Sequence, residues 1–509
     1  MKRAEANWGL IFFLAFIKFV LPLFLQSGAF EPQRDEFLYY EQGQHLALGY
    51  LENPPFISYL GQISSWLGPH PAWIRIWPFL FGSLTLVITC MITAELGGRT
   101  FAQFIAGLGI ITGAYMRIHF LFQPNILDIF FWTLSIYFLV RYINTKQEKY
   151  IYGIAISLAL GWWSKYSILF MAVAIIIALL LSPYRNIFTR KTTWKAIGLA
   201  ILIILPNLLW QYNHNWPLVH HMNELRETQL AYINRADFIK EQFLFLIPVL
   251  FVWITGLVWL SRNPMYRLIA FIYFGVILLL MFGSGKGYYA LGAYPMLLAA
   301  GGVAIERWSS TRRVLRYAIV VLIIALTMPF IPMLLPIWKP EKLADFYKKA
   351  GMDKIGLLKW EDQQDHDLPQ DFADMLGWNE MTEKAEIAMA NSPDPDSTIV
   401  YCRHYGQAGA LKFFNPGTFK NKVFTDNGSF LLWIPDSIKF KHLIYIGRKI
   451  PEQDDEVFQH FERYTVVDQV ENPMSRQFGD KIIFYKNIDS TGLRLAREGI
   501  GELKRRFAR

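Results

Sequence analysis

Long apolar blocks alternate with short polar gaps from Trp8 to about Trp338, whereas residues 339–509 carry charges at the density of a soluble domain. A bilayer core of roughly 30 Å needs about 20 apolar residues in a helix, and fewer where neighbouring helices shield the segment. The candidate spans are 8–25, 74–96, 100–116, 123–142, 150–164, 166–182, 196–210, 242–261, 267–283, 289–305 and 317–337. The pattern therefore predicts a polytopic α-helical membrane domain of about 11 transmembrane helices over residues 1–337, followed by a soluble domain over 338–509.

The soluble domain has the pattern of a mixed α/β fold. Short runs rich in β-branched and aromatic residues predict strands at Thr398 to Cys402, Phe430 to Ile434, His442 to Ile446 and Lys481 to Tyr485. Stretches of helical or turn-forming composition, such as Ala385 to Ala390, alternate with these runs. The segment NSPDPDS at 391–397 predicts a loop before the first strand, because Pro and Asp favour turns.

The charge distribution indicates how the helices are oriented. Fifty Lys and Arg residues against 41 Asp and Glu give a formal charge of +9, which alone would fit a nucleic-acid partner. In the apolar region, however, the basic residues lie in gaps between spans: Lys2-Arg3, Arg141 to Lys149, Arg185 to Lys195, Arg262 to Arg267 and Arg307 to Arg316. Alternating spans place all five gaps on one side, so the N-terminus is predicted to be cytoplasmic, with residues 26–73, 211–241, 284–288 and the tail from 338 facing outward.

Neither a disulfide nor a metal site is indicated. Cys90 lies in an apolar block and Cys402 in the soluble part, so the two are not expected to pair. Three histidines and Glu224 occur in the outward segment 210–235, and these residue types suit zinc, but no HxxxH or HExxH spacing occurs. We therefore assign no cofactor and no catalytic metal, and we leave a role for a divalent metal open.

The first outward loop carries two adjacent acids, Asp35 and Glu36, a few residues beyond the first span, and Tyr39 and Tyr40 follow at once. A carboxylate at the membrane surface can act as a general base toward an acceptor hydroxyl or amine. The alternative is structural, because Asp and Glu favour the first turn of a helix, here the amphipathic segment from Phe37 to Gly49. The residues leave both interpretations open.

A family resemblance adds to this interpretation. The stretches that carry it are the acid pair, Gly49-Tyr50, Pro54-Pro55, WQYNHNWPLVHHM at 210–222, GKGYYALGAYP at 285–295 and YGQAGAL at 405–411. In this order, and with many spans before an outward soluble tail, they resemble the bacterial members of glycosyltransferase family 39. That family is similar to the dolichyl-phosphate-mannose protein mannosyltransferases, has the GT-C fold and includes the aminoarabinose transferases of lipid A.

The resemblance implies a function and a place in the cell. It implies an integral membrane enzyme of the bacterial inner membrane that moves a sugar from a polyprenyl-phosphate donor, with inversion, to an acceptor on the outer face. The acceptor would be an envelope glycan, lipid A, another lipid or a protein. Asp35 would be the catalytic carboxylate that deprotonates the acceptor, and Glu36 would be its motif neighbour.

A phosphate leaving group requires cations near the outward surface. Lys286 and Lys165 lie between spans on that side, and Arg117 and His119 follow the third span. Interfacial side chains that extend to water are the alternative for each. The aminoarabinose transferases use a lysine further along the first loop, but residues 37–73 contain none, so phosphate binding must be assigned to other cations.

The remaining candidates are one acid and several aromatic or histidine side chains. Asp128 lies within a span, where an acid is costly unless it faces a polar cavity, and helix capping after Pro124 is the alternative. Trp216, His221, Tyr288 and Tyr289 are candidates for contacts with a sugar or isoprenoid, against an ordinary interfacial aromatic belt. YGQAGAL lacks GxGxxG, so it favours a structural strand-to-helix turn, in a tail that recognises the acceptor or shields the site.

Two other classes of protein fit parts of the pattern. A lipid or polysaccharide transporter would show paired repeats and helices broken by Gly or Pro within the membrane, and the sequence shows neither clearly. A membrane-anchored sensor would use the tail to bind a ligand, but it would seldom need so many spans. The transferase interpretation is therefore favoured, and the transporter is kept as the alternative.

Overall fold

The computed structural model describes residues 3–228, 234–283, 285–451 and 456–508; Lys2, residues 229–233 and residue 284, which belong to gaps and loops predicted above, lie outside the described residues. The α-helices are α1 Trp8–Phe24, α2 Arg34–Gln44, α3 Phe56–Ser65, α4 Pro71–Glu95, α5 Thr100–Ile111, α6 Tyr115–Ile118, α7 Asn125–Thr145, α8 Lys149–Ser164, α9 Ile168–Leu180, α10 Lys191–Asn213, α11 Pro217–Thr228, α12 Arg235–Leu244, α13 Leu250–Arg262, α14 Arg267–Phe282, α15 Tyr294–Trp308, α16 Arg313–Thr327, α17 Ile331–Leu334, α18 Pro340–Lys349, α19 Gln370–Ala373, α20 Trp378–Ala390, α21 Tyr405–Phe414, α22 Pro416–Phe419 and α23 Ser490–Arg505. The strands are β1 Thr398–Cys402, β2 Val423–Phe424, β3 His442–Gly447, β4 Phe461–Gln469 and β5 Lys481–Ile488.

Apolar helices form the first two thirds of the chain, and each predicted span overlaps one of them. In the described part of the chain, five segments are long and apolar enough to cross a membrane: Pro71–Glu95, Asn125–Thr145, Lys191–Asn213, Gly287–Trp308 and Arg313–Leu334. Shorter apolar helices pack between the longer ones, so that α15 contacts α5 and α13 while α7 contacts α4 and α8. The predicted helical membrane fold is confirmed, and the number of spans stays a prediction.

Two predicted spans are interrupted, which corrects their extent. The segment 100–116 breaks after α5, where Gly113 has a φ of +64°, and the segment 242–261 is bent by 65° between α12 and the helix that follows. The breaks meet, because the backbone N–H of Ala114 donates to the carbonyl oxygen of Phe245 at 2.8 Å. Broken helices are tolerated inside a bundle when neighbouring segments satisfy the freed backbone groups. These two breaks are not evident from the sequence.

The segment after the first predicted span folds into α2 and α3, which cross in backbone contact. A Cβ atom added to Gly43 would lie 2.5 Å from the backbone nitrogen of Gln62, and one added to Gly61 would lie 2.6 Å from the carbonyl oxygen of Tyr39. Only glycine permits so close an approach at these positions. The crossing therefore holds α2, the helix with the acid pair, against α3.

The tail contains a five-stranded sheet in the order β2-β1-β3-β5-β4. Strand β1 pairs in parallel with β2 and β3, whereas β5 pairs antiparallel with β3 and β4. Three of the four predicted strands are confirmed, but the run 430–434 lies mostly in the 3₁₀ helix Gly428–Trp433. This helix begins at Gly428, whose φ is +64°. The prediction missed β4 because this edge strand is largely solvent-exposed and lacks a clear apolar face.

The tail packs directly on α2. Phe37 of α2 makes edge-to-face contacts with Trp378, Phe413 and Phe414 of the tail, at centroid distances of 5.6, 5.5 and 5.8 Å. Lys412 of α21 forms an ion pair with Glu41 of α2, with 2.7 Å between nitrogen and oxygen. Buried aromatic packing and a nearly buried ion pair thus join the tail to the helix that carries the acid pair.

Candidate active site

Helix α2 begins at Arg34 and places both predicted acids in its first turn. The Gln33 side chain caps the helix by accepting a hydrogen bond from the backbone N–H of Asp35 at 2.9 Å, and the Glu36 carboxylate accepts one from the Gln33 backbone at 2.8 Å. This reciprocal arrangement satisfies donors that a helix N-terminus otherwise leaves unpaired. The helix-start interpretation of the acid pair therefore describes the local structure.

Glu36 is completely buried, and its carboxylate joins three segments. Besides the Gln33 backbone, it accepts hydrogen bonds from the backbone N–H of Phe122 at 2.9 Å and from the Arg75 guanidinium at 3.3 Å. A buried carboxylate with these partners holds α2 to α4 and to the segment before α7. The placement favours a positioning role for Glu36 over direct contact with substrate.

Asp35 presents a partly exposed carboxylate where the loop, the membrane helices and the tail meet, with its side chain 23% exposed. One oxygen accepts a hydrogen bond from the Tyr405 hydroxyl at 2.6 Å and lies 3.4 Å from Arg34 Nε, and the other accepts from the Gln123 amide at 3.2 Å. Burial and the Asp35 carboxylate raise the pKa of Tyr405, so this hydroxyl keeps its proton and remains a donor. Asp35 is thus held in place while part of it stays accessible.

Lys165 occupies the start of the segment between α8 and α9. Its ammonium donates to the Asn125 side chain at 2.6 Å and lies 4.0 Å from the ring centroid of Tyr289 and 5.2 Å from that of Tyr288. Cation–π contacts of this kind stabilise a desolvated ammonium. The structure therefore brings together three predicted site residues, Lys165, Tyr288 and Tyr289.

Asp128, one helical turn into α7, has a buried carboxylate whose oxygens accept hydrogen bonds from Trp132 Nε1 and Ser167 Oγ, each at 2.7 Å. Ser167 lies two residues after Lys165, so Asp128 supports the segment that carries the lysine. Asp128 thus supports the Lys165 segment through Ser167, and its role in the site stays a prediction.

Lys286 precedes the 3₁₀ helix Gly287–Ala293 and lies near the acidic side of the site. Burial lowers the pKa of Lys286, and the carboxylates of Glu361, Asp35 and Asp371 act in the opposite direction. Its electrostatic interaction with Asp35 links this lysine to the acid of α2. Of the predicted cations, Lys165 and Lys286 are therefore the ones that the structure associates with this site.

Arg117 and His119 have other surroundings. The Arg117 guanidinium lies 3.3 Å from the Asp371 carboxylate and stacks 4.7 Å over the ring of Phe372, so it binds the tail. His119 is fully buried in the bundle against Tyr115, and its ring nitrogens have no hydrogen-bond partner among the described residues. These placements do not favour contact of either residue with a donor phosphate.

Of the other predicted tyrosine, tryptophan and histidine contacts, some lie near Asp35 or Tyr405 and others lie elsewhere. Burial, together with the Asp35 and Glu52 carboxylates, raises the pKa of Tyr39, which is consistent with a neutral hydroxyl near the acid. Tyr40 packs edge to face on Phe413 at 5.0 Å in the interface with the tail. His221 lines a cavity of about 670 Å³ together with Tyr405, whereas Trp216 packs edge to face on Tyr212.

Sequence reasoning missed Tyr405, Gln123 and Arg34, all of which contact Asp35. Tyr405 begins YGQAGAL, so the resemblance pointed to its segment, but nothing local connects it to an acid 370 positions earlier. Among the described residues, no group of three or more His, Cys, Asp or Glu side chains is arranged to hold a metal ion.

Comparison with known proteins agrees with this architecture. The sequence model of the family described as dolichyl-phosphate-mannose-protein mannosyltransferase matches residues 52–210. The lipid A galacturonosyltransferase RgtD of Rhizobium johnstonii is 29% identical over 233 residues, which are 43% of this chain and 47% of the relative. The chain thus spans about half the length of the curated relative that it matches.

Solved structures extend the likeness over the whole chain. The structure of ArnT from Cupriavidus metallidurans bound to undecaprenyl phosphate has a TM-score of 0.63 and 11% identity, covering 96% of this chain and 99% of that protein. The oligosaccharyltransferase of Archaeoglobus fulgidus has a TM-score of 0.51 and 10% identity, covering 86% and 68% of the two chains.

The chain has the GT-C fold. It is a multi-pass membrane protein, and the resemblance inferred from its sequence is confirmed. The family match begins at residue 52, after the acid pair, so the roles of Asp35 and Glu36 stay predictions.

Proposed function

We propose that this chain transfers a sugar from a polyprenyl-phosphate donor to an envelope acceptor on the outer face of the bacterial inner membrane, with Asp35 as the general base. The observation that carries the proposal is a partly exposed carboxylate, that of Asp35, which interacts electrostatically with Lys286 at the contact between membrane helices and tail. A chain of hydrogen bonds through Gln123 and Asn125 also links this carboxylate to Lys165. A base beside cations is the combination that displacement of a phosphate by a hydroxyl or amine requires.

In the proposed reaction, the acceptor oxygen or nitrogen attacks the anomeric carbon of the sugar while its proton moves to the Asp35 carboxylate. The bond between the anomeric carbon and the phosphate oxygen breaks, and its electron pair remains on the phosphate as polyprenyl phosphate leaves. Attack from the face opposite the phosphate inverts the anomeric centre. Tyr405 and Gln123 orient the carboxylate through their hydrogen bonds to its two oxygens.

The lysines supply the charge that the leaving phosphate needs. Lys165, oriented by Asn125 and the ring of Tyr289, and Lys286 would replace the first-loop lysine that this chain lacks. A preorganised ammonium costs no reorganisation as negative charge develops on the phosphate. Trp132 and Ser167 hold Asp128, which in turn supports the Lys165 segment.

The comparisons support the class of donor and acceptor. ArnT was solved with undecaprenyl phosphate, and RgtD acts on lipid A. The clustering of basic residues in one set of gaps supports a cytoplasmic N-terminus and an outward tail, with a membrane domain over residues 1–337 and a soluble domain over 338–509. The acceptor is an envelope glycan, lipid A, another lipid or a protein.

Asp35→Asn tests the assignment because it keeps the shape of the side chain and removes its basicity. Purified full-length protein is incubated with a radiolabelled polyprenyl-phosphate sugar and an envelope extract, and sugar transfer and released polyprenyl phosphate are measured. Transfer should fall by about 10²–10⁴-fold while the donor still binds, since general base catalysis contributes that much. Asp345→Asn, an exposed acid on α18, is the control and should retain full activity; near-normal transfer by Asp35→Asn would refute the assignment.

A flippase is the second candidate, and the broken helices that meet at Ala114 and Phe245 favour it, because transporters use such interruptions. The same experiment separates the two functions. A flippase moves the intact lipid across a vesicle membrane, whereas only a transferase releases polyprenyl phosphate.

A further inference from the structure

A second cavity, of about 440 Å³, lies in the tail beside the proposed site. It forms where neighbouring parallel strands end, because Arg403 directly follows β1 and Arg448 directly follows β3. Open α/β sheets commonly bind ligands beyond the carboxyl ends of their strands. The sheet topology therefore brings two arginines, 45 positions apart in the sequence, to one wall of the cavity.

The arginines of the cavity differ in how far they are neutralised. Arg448 Nη2 donates to the carbonyl oxygens of Arg476 and Phe478 at 2.9 and 2.8 Å, which orients its guanidinium. Arg476 forms ion pairs with Asp374 at 3.1 Å and Glu361 at 2.7 Å. Arg403 is exposed, and within the described ranges no side chain forms a hydrogen bond or ion pair with its guanidinium.

Three of the four arginines that line the cavity have carboxylate partners, and Arg403 is the exception among the described residues. Arg34, Arg403, Arg448 and Arg476 line the cavity, against Asp362 and Asp480. Asp362 is paired with His366 at 2.9 Å, whereas Asp480 accepts a hydrogen bond from the Gln407 amide at 2.7 Å and lies 3.6 Å from Arg448 Nε. An anion entering the cavity therefore meets the guanidinium of Arg403, which has no carboxylate partner among the described residues.

Aromatic and amide groups complete the lining. Trp360 stacks on His366 with 3.5 Å between ring centroids, and Phe478 is 48% exposed at the cavity. Gln477 and Ser475 add polar groups. A few polar groups beside aromatic surfaces, in a volume of about 300–1,000 Å³, are typical of small-ligand sites.

We propose that this cavity binds an anionic saccharide, a sugar that carries a carboxylate or phosphate, as part of the acceptor. The inference rests on the proposed transferase function and specifies the chemistry of its acceptor. Arg34 lines the cavity and lies 3.4 Å from Asp35, so a bound saccharide reaches toward the base.

The adjoining cavity of about 670 Å³ differs in charge. It shares Arg34 and His404 with the first cavity and also contains Arg506, but five carboxylates line it: Glu52, Glu224, Glu227, Glu361 and Asp426. Anions are repelled there. The opposite charge of two neighbouring cavities directs an anionic group to the one lined by Arg403.

Binding to full-length protein in detergent tests the proposal by isothermal titration calorimetry. The probes are a hexuronic acid trisaccharide, a hexose phosphate and the neutral sugar matched to each. Wild-type protein should bind an anionic probe at least tenfold more tightly than its neutral match. Arg403→Gln should weaken that binding by about tenfold or more, because it removes a charged hydrogen-bond donor, and such a bond is roughly twice as strong as a neutral one. Arg463→Gln, an exposed arginine on β4 outside the cavity, should change nothing.

Binding of either anionic probe with this dependence on Arg403 supports the proposal, and the preferred probe identifies carboxylate or phosphate. Equal binding of neutral and anionic sugars, or unchanged binding by Arg403→Gln, overturns it. Asp35→Asn separates the two proposals, because it should lower transfer by about 10²–10⁴-fold and retain saccharide binding. Normal sugar transfer without anion binding would refute only the proposal that the cavity binds a saccharide. Arg403-dependent binding by a wild-type protein that transfers no sugar would refute only the proposed transferase function.

Discussion

The ion pair between Lys412 of the tail and Glu41 of α2 gives the sharpest test of how the tail holds the helix that carries Asp35. The side chains are 10% and 8% exposed, and the nitrogen lies 2.7 Å from the oxygen. Removing one partner of a buried pair costs about 3–5 kcal/mol, against about 0–1 kcal/mol for a surface pair. His45 lies 3.4 Å from the same carboxylate and partly compensates, so we expect Lys412→Met to cost about 3 kcal/mol.

The cost comes from the orphaned carboxylate. Burial raises the pKa of Glu41, but Lys412 and His45 outweigh it and bring the pKa below the usual 4.5. The ionised pair therefore stabilises the fold above about pH 4.5, and this contribution is lost as the pH falls through the pKa of the folded protein. The loss caused by Lys412→Met should accordingly be largest near neutral pH and shrink in acid.

Thermal melting of the detergent-solubilised protein, followed by tryptophan fluorescence, measures the effect. A loss of about 3 kcal/mol should lower Tm by roughly 6–12 °C for a unit of the size of the tail. Lys412→Met/Glu41→Gln should recover part of this loss because no buried charge remains. Lys439→Met, an exposed lysine of the same domain, should leave Tm unchanged. The reasoning is refuted if Lys412→Met melts like that control, or if the double variant is no more stable than the single one.

Two further predictions concern the loop helices and the tail. Gly43→Ala would place a Cβ 2.5 Å from the backbone nitrogen of Gln62, so it should lower both Tm and sugar transfer. Gly198→Ala is the control, because the space around its Cβ is open, and it should change neither. Equal behaviour of the two variants would contradict the close crossing of α2 and α3. Burial raises the pKa of Asp374 and of Asp480 to about 6 from the usual 3.8, so the folded tail binds protons that the unfolded chain has released. Its stability should fall as pH rises from about 4 to 6, and Asp374→Asn or Asp480→Asn should each flatten that slope in melting curves; an unchanged slope argues against the buried acids.

The membrane helices are predictable because the length of an apolar segment must match the bilayer, a constraint that each segment meets by itself. The breaks at Gly113 and Phe245 are not predictable in this way, because they depend on a contact between distant segments. The backbone N–H of Ala114, at the first break, donates to the carbonyl oxygen of Phe245, at the second, more than 130 positions later. Three of the four predicted strands follow from local composition, but the run 430–434 does not form one. There Ser429 donates two hydrogen bonds to Glu52 of the first loop and anchors the segment as a 3₁₀ helix.

Hydrophobic length and local composition act within a segment, so they predict the helical membrane region, the sheet-containing tail and an acid pair just beyond the first span. The burial of Glu36, the hydrogen bond between Asp35 and Tyr405 and the cavity shared by Arg403 and Arg448 become visible only in the folded chain. Hydrogen bonds and charge interactions act over a few ångströms in space, and the chain reaches those distances only after segments far apart in the sequence have packed together.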